Sequence, residues 1–371
     1  MAPGLIAALA DGPGTRSDSA VGEAPAAASP SPEIRRSVPL AAIVAIAVAG
    51  SLLVAALAWT FLLHRGMPVL RAQPGTFAAA LGQAKAMGEP VRVVLEPGDY
   101  VGPFRFGVAQ SHLVLIAGGP GVRLVAPGGQ QALVQLQTGL AGFELRGVTL
   151  VPGIRTAIEA LSGAAATIAD VRIEGGCRQV LAVSGADLTV SGLLGRSDGA
   201  GVVVEGQGRL NLADSAFRCA GPAVILRRAD LRAERCRFTA MGGSGAALID
   251  VAGGRLDLLA VVAEAAGCDT AVSLDRGIDG ALRDVVLTGA RTGILAVDSI
   301  LPTIDGLTID AGDVGVSWTG ARDPAWSWRN VLLRAPSPAI GLPAGDFRGM
   351  GARADAVRSV PALTSPRPEN N

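Results

Sequence analysis

Asp250, Asp275 and Asp298 each end an apolar run, in "ALID", "VSLD" and "LAVD". They follow one another at intervals of 25 and 23 residues. A repeating fold can bring carboxylates at such intervals side by side. Three like charges in a row are unfavourable unless something compensates them. A Ca2+ ion taking carboxylate oxygens would do so, and so would the adjacent Arg276. Aligning the preceding strands extends the column to Ser184, Glu205, Arg227, Asp250, Asp275, Asp298 and Thr319. Glu205, Arg227 and Asp250 would then alternate in charge. Asp250, Asp275, Asp298 and Arg276 are the candidate catalytic residues, and the three carboxylates are the candidate Ca2+ ligands. A solvated polar edge at a turn is the plain alternative.

Other reactive groups are scarce. Two His in 371 residues (His64 and His112) exclude a His-rich metal site or a multi-His mechanism. Lys85 is the only lysine. Cys219 and Cys236 fall on neighbouring coils but three or four positions out of column. That offset of ~10 Å is beyond a disulfide's reach. No C-x2-C pair accompanies them or Cys177 and Cys268, which argues against zinc. The Gly pairs in "AGGPG" and "AMGGSG" precede no helix, so no phosphate-binding loop is expected. Trp318, Trp326 and Trp328 crowd into "SWTGARDPAWSWRN", near Phe347. They read either as a sugar-stacking platform or as a hydrophobic plug for one end of the fold. Lys+Arg and Asp+Glu are both 32, which excludes a strongly basic nucleic-acid binder. No cofactor other than Ca2+ is implied.

The elements that must position these groups follow from patterning. Residues 1–37, rich in Ala, Pro, Gly and Ser, read as a disordered tail. Residues 38–63 are 26 residues without a charge. At 1.5 Å per residue they span ~39 Å, enough for one uncleaved transmembrane helix. The expected arrangement is a single-pass protein of a bacterial inner membrane, its C-terminal domain periplasmic or extracellular. Residues 64–74 read as a juxtamembrane linker, and Phe77 to Met87 as a helix ended by Gly88.

From there the chain repeats. Segments starting at Gly147, Asp170, Gly192, Ser215, Arg235, Ala260, Asp284, Gly306 and Asn330 recur every 20 to 25 residues. Each unit holds two or three strands of 3–5 residues, too short for a βαβ crossover of ~30 residues. Stacking as parallel coils ~4.8 Å apart pairs every strand with its successor. Residues 75–345 form that domain, with about eleven coils in a rod ~50 Å long, and residues 346–371 a C-terminal tail.

Between Gly75 and Gly129 the amphipathic helix is followed by Val94-Leu95-Glu96-Pro97-Gly98-Asp99-Tyr100 and then by Leu113-Val114-Leu115-Ile116-Ala117-Gly118. This succession resembles the opening of right-handed parallel β-helix proteins of the pectate-lyase-like superfamily. The resemblance covers about residues 75–345. It implies an all-β, right-handed parallel β-helix with an N-terminal capping helix. It implies no single activity, because this fold carries lyases, hydrolases, epimerases, adhesins and inert scaffolds. The superfamily's catalytic patterns are mostly missing: no lysine lies near the acidic column, and neither Gly-His-Gly nor Asp-Pro-His-Asp occurs. Residues Gly4 to Ala20 also faintly resemble the last helix of bacterial Ser/Thr protein kinases, without a catalytic motif. The expected role is a membrane-anchored, non-catalytic scaffold or binding domain for envelope polysaccharide or a partner protein. The alternatives are a tethered polysaccharide lyase or glycoside hydrolase using the Asp column, and the sensor part of a receptor-kinase-like protein lacking its kinase.

Overall fold

The computed structural model describes residues 66–128, 131–242, 247–299, 303–320 and 328–341. The tail 1–37, the apolar run 38–63, Trp326, Phe347 and residues 346–371 lie outside them. Among the described residues no helix is long and apolar enough to cross a membrane.

Every strand pairing in the domain is parallel, and each joins one coil to the next. Sheet I has twelve rungs, from Val69–Ala72 to Trp328–Arg329. Sheet II has eleven, from Gly98–Val101 to Leu332–Arg334. Sheet III also has eleven, from Phe104–Phe106 to Ser337–Ile340. The chain visits I, II and III in turn, so the described residues form a parallel β-helix of eleven full coils.

The interior follows from alternation. Within a strand every second residue points inward, and in-register neighbours stack along the axis. One such column runs from Leu70 through Leu115, Ile168, Leu212 and Leu282 to Ile304. Past the start, these positions are buried at nearly every rung.

From Gly147 onward, sheet I turns into sheet II through a single left-handed residue. The corner column is Gly147, Asp170, Gly192, Asp214, Arg235, Ala260, Asp284, Gly306 and Asn330, every one at positive φ. Gly, Asp and Asn tolerate that conformation best, hence their abundance here. The repeat segments read from the sequence start on these corners, except that Ser215 lies one residue late.

Helix α1 (Phe77–Met87) ends at Gly88 in the left-handed conformation. Phe77 and Ala80 are buried, and Leu81 and Ala84 pack on the core. One boundary moves. Residues 64–74 were expected to be a linker, but Val69–Ala72 pairs in register with Val91–Leu95 as the first rung of sheet I. Four alternating residues between Pro68 and Pro74 are too short a run to stand out beside a long apolar segment.

Candidate functional site: the charged outer faces

The acidic column assembles only in part. Ser184, Glu205 and Arg227 are in register as expected. The next member is Ala252, not Asp250, because the strand Ala247–Leu259 runs on past Asp250. Asp275 pairs with Ala252 on one side and Val297 on the other, and Val297 pairs with Thr319. Asp250 lies two positions upstream, between Ile225 and Ser273. That displaces it ~7 Å along the strand. Asp298 sits in the following corner at φ 47°, its N–H donating to the Thr319 carbonyl at 2.8 Å.

The three carboxylates therefore occupy three different positions along the strand. Among the described residues no group of three or more His, Cys, Asp or Glu is placed to hold a metal ion. The expected Ca2+ stack is corrected accordingly. Two of the candidates are neutralised by neighbours. Arg227 donates to the Asp250 carboxylate, and to its carbonyl at 3.1 Å. Arg276 lies 3.6 Å from Asp275.

The tryptophans also move. Trp318 stacks on buried Ala296, and Trp328 on buried Ile304. Both continue inward-facing columns and pack against the core at its C-terminal end. Trp318 donates its indole N–H to the Ser299 carbonyl at 3.3 Å. These two do not form an exposed platform; they close the interior. Trp326 lies outside the described residues.

A different column carries the alternating charge. On the outer face of sheet I, Asp187, Arg209, Asp230, Arg255 and Asp279 are in register over five successive coils. Arg209 Nε lies 3.9 Å from Asp230 Oδ2. Arg255 reaches Asp279 at 3.1 Å and Asp257 at 2.7 Å. A second outer column on the same sheet holds Thr167, Thr189, Asn211, Arg232 and Asp257. The sequence did hold a signal: charges of alternating sign at intervals of 22, 21, 25 and 24 residues. Exposed pairs of this kind add little to stability, because water and salt screen them.

The corner beside this face holds a tighter cluster. Arg235 binds both Asp214 carboxylate oxygens, at 2.6 and 2.9 Å, and also Glu234. The hydrogen-bonded Arg235 guanidinium holds the Asp214 carboxyl below the usual range. On sheet II, Arg237 donates to Glu264, which also accepts from the Thr239 hydroxyl at 2.9 Å. The Arg237 hydrogen bond leads the causes that push the Glu264 carboxyl down.

All four cysteines are free and buried. Burial pushes the Cys177 thiol up to about 11, Cys219 to about 12 and Cys236 to about 11. We expect native protein at pH 8 to resist iodoacetamide at these three positions and denatured protein to react, as peptide mass spectrometry would show. The linked effect has a definite sign. Between the ordinary thiol value and these raised values the unfolded chain loses protons that the folded chain keeps. Stability should therefore fall as pH rises through that window. Alkylation of any of the three in native protein would contradict their burial.

One cavity among the described residues measures 260 Å3 and is bounded by Pro103, Pro127, Gln131 and Leu133 among others. No titratable group lines it.

The charged faces thus belong to a parallel β-helix on which several acids, Asp214, Asp230, Asp250 and Glu264 among them, lie against arginine. Two solved structures similar to this chain are A-modules of Azotobacter vinelandii mannuronan C-5 epimerases. The AlgE4 A-module is 13% identical with a TM-score of 0.46, over 73% of this chain and 95% of that one. The AlgE6 A-module is 12% identical with a TM-score of 0.34, over 72% and 93%. At these values the likeness carries no inference about activity; the fold rests on the strand register. No protein-family model matches the chain, and no curated protein sequence does.

Proposed function

We propose that this protein is a non-catalytic β-helix rod that offers the outer face of sheet I to an envelope polysaccharide. The observation that carries this reading is the alternation of acid and arginine on that face. Asp187, Asp230 and Asp279 alternate with Arg209 and Arg255 in one column. Asp250 is held by Arg227. A general acid in a glycosidase needs a carboxyl raised toward neutrality. Among the described residues the carboxyls that shift, Asp214 and Glu264, both shift down. The 260 Å3 cavity beside Pro103 and Pro127 has no titratable lining. A lyase or hydrolase is not favoured on these grounds.

Sheet I suits passive binding. Thr167, Thr189, Asn211 and Arg232 succeed one another along the axis. They present donors and acceptors at ~4.8 Å intervals along the axis, the kind of groups that pair with sugar hydroxyls. In the same reading, residues 38–63 tether the rod to the membrane.

The test is binding of the full chain, in detergent, to a panel of neutral and acidic glycans with and without millimolar Ca2+. We expect binding that is indifferent to Ca2+, leaves the glycans unshortened, and falls at least tenfold in the double substitution N211A/R232A. Binding to none of the glycans, or any shortened product, would overturn the reading.

A further inference from the structure

Charged residues that face one another across neighbouring strands follow a rule in this rod. Ten register pairs of two charged residues join opposite signs. Among the described residues one pair breaks the rule: Arg196 stands directly opposite Arg218 on the outer face of sheet II. Like charges in that position are destabilising. The rest of the rod avoids the cost, so the exception calls for a compensating charge.

The surroundings do not fully supply one. Asp198 approaches Arg196 at 3.7 Å. Glu264 is engaged by Arg237 and by the Thr239 hydroxyl. Arg218 is within electrostatic reach of Glu264, two rungs on, and helps lower its carboxyl, but makes no ion pair among the described residues; nor does Arg172, two coils earlier. Between Arg172 and Arg237 the neighbouring outer column passes through Leu194 and Ala216, which carry no charge. Four arginines thus frame a small uncharged floor.

We propose that Arg196 and Arg218 form a clamp for a tetrahedral oxyanion, a phosphate or sulfate group, with Arg237 beside it. Their backbones are ~4.8 Å apart, so two guanidinium forks can converge on one such group. A dianion neutralises both charges of the pair; a carboxylate neutralises one. The clamp lies on a different face from the polar column of sheet I and does not depend on glycan binding there.

The experiment titrates the full chain at constant ionic strength with inorganic phosphate, sulfate, glucose 6-phosphate and acetate, read by calorimetry and by Tm. We expect saturable binding and a raised Tm with phosphate and sulfate, and at least tenfold weaker binding of acetate. Glucose 6-phosphate binding as tightly as phosphate would mark an ester as the ligand. Its failure alongside phosphate binding would mark the free ion, with the clamp intact. Arg218→Gln should weaken phosphate binding at least tenfold yet melt no lower than wild type without phosphate, because it relieves the like pair. A purely structural arginine would lower Tm instead. Absence of saturable phosphate binding, an unchanged affinity in Arg218→Gln, or a lower Tm of that variant in phosphate-free buffer would each overturn the clamp.

Discussion

Gly280→Ala should cost about 4 kcal/mol or more, an effect few single substitutions reach. Gly280 has φ 138°, a conformation that L side chains rarely adopt. A Cβ there would lie 2.0 Å from the Leu256 carbonyl oxygen, 2.6 Å from its carbon and 3.0 Å from its nitrogen. Those atoms belong to the facing strand, since Leu256 and Gly280 are register partners. No side chain can swing aside; the coils themselves would have to part. Two other glycines calibrate the effect. Gly277 has φ 63° but nothing within 4 Å of a Cβ, so Gly277→Ala should cost about 1 kcal/mol, from backbone strain alone. Gly82 is helical with open space, and Gly82→Ala should stabilise by about 0.5–1 kcal/mol. Urea denaturation of the three variants measures the series. A Gly280→Ala variant within 1 kcal/mol of wild type would show that coils 256 and 280 are not stacked in this register.

The architecture was legible because its constraints repeat. Every coil needs a left-handed corner and inward aliphatic residues, so corner residues such as Asp170, Gly192, Asp284 and Gly306 recur at near-constant intervals. The capping helix was legible because its last residue, Met87, meets a left-handed glycine. The outer faces carry no such constraint. Asp250 was aligned with Arg227 on the ends of apolar runs, whereas the register is set by the corners at Arg228 and Gly253. The resulting error is two residues. A two-residue slip keeps the same side of the strand outward, so alternation gives no warning of it. A one-residue slip would have buried Asp250 and exposed itself at once. The true charge ladder was missed for the same reason. Asp187, Asp230 and Arg255 follow their corners by two residues, Arg209 and Asp279 by three, so no single offset gathers them. The tryptophans were ambiguous because an aromatic can close a core or greet a sugar. Only the columns through Ala296 and Ile304 decide between the two.

Phe77→Ala should cost about 3–5 kcal/mol, but it should spend that cost at one end of the rod. Phe77 is 7% exposed and stands edge-on to Tyr100 at 5.4 Å and to Phe104 at 5.8 Å. Tyr100 in turn places its hydroxyl 2.6 Å from the Ala72 carbonyl and 2.9 Å from that of Glu96. These contacts tie α1 to the first rungs of all three sheets. Removing the ring opens a cavity beneath the cap and loosens the cover over an otherwise unpaired end. A solenoid's stability is close to a sum of nearest-neighbour terms, so damage need not propagate along the axis. Phe217→Ala is the contrast. Phe217 stacks on Phe238 at 6.0 Å in mid-rod, with both neighbouring coils resting on it. Hydrogen exchange followed by mass spectrometry separates the two cases. In Phe77→Ala, residues 69–106 should lose protection while the rungs from 187 onward keep theirs. In Phe217→Ala, protection should fall on both sides of the cavity. Uniform loss along the rod in Phe77→Ala would mean that the coils melt as one cooperative unit, and that α1 stabilises the whole solenoid rather than its first turns.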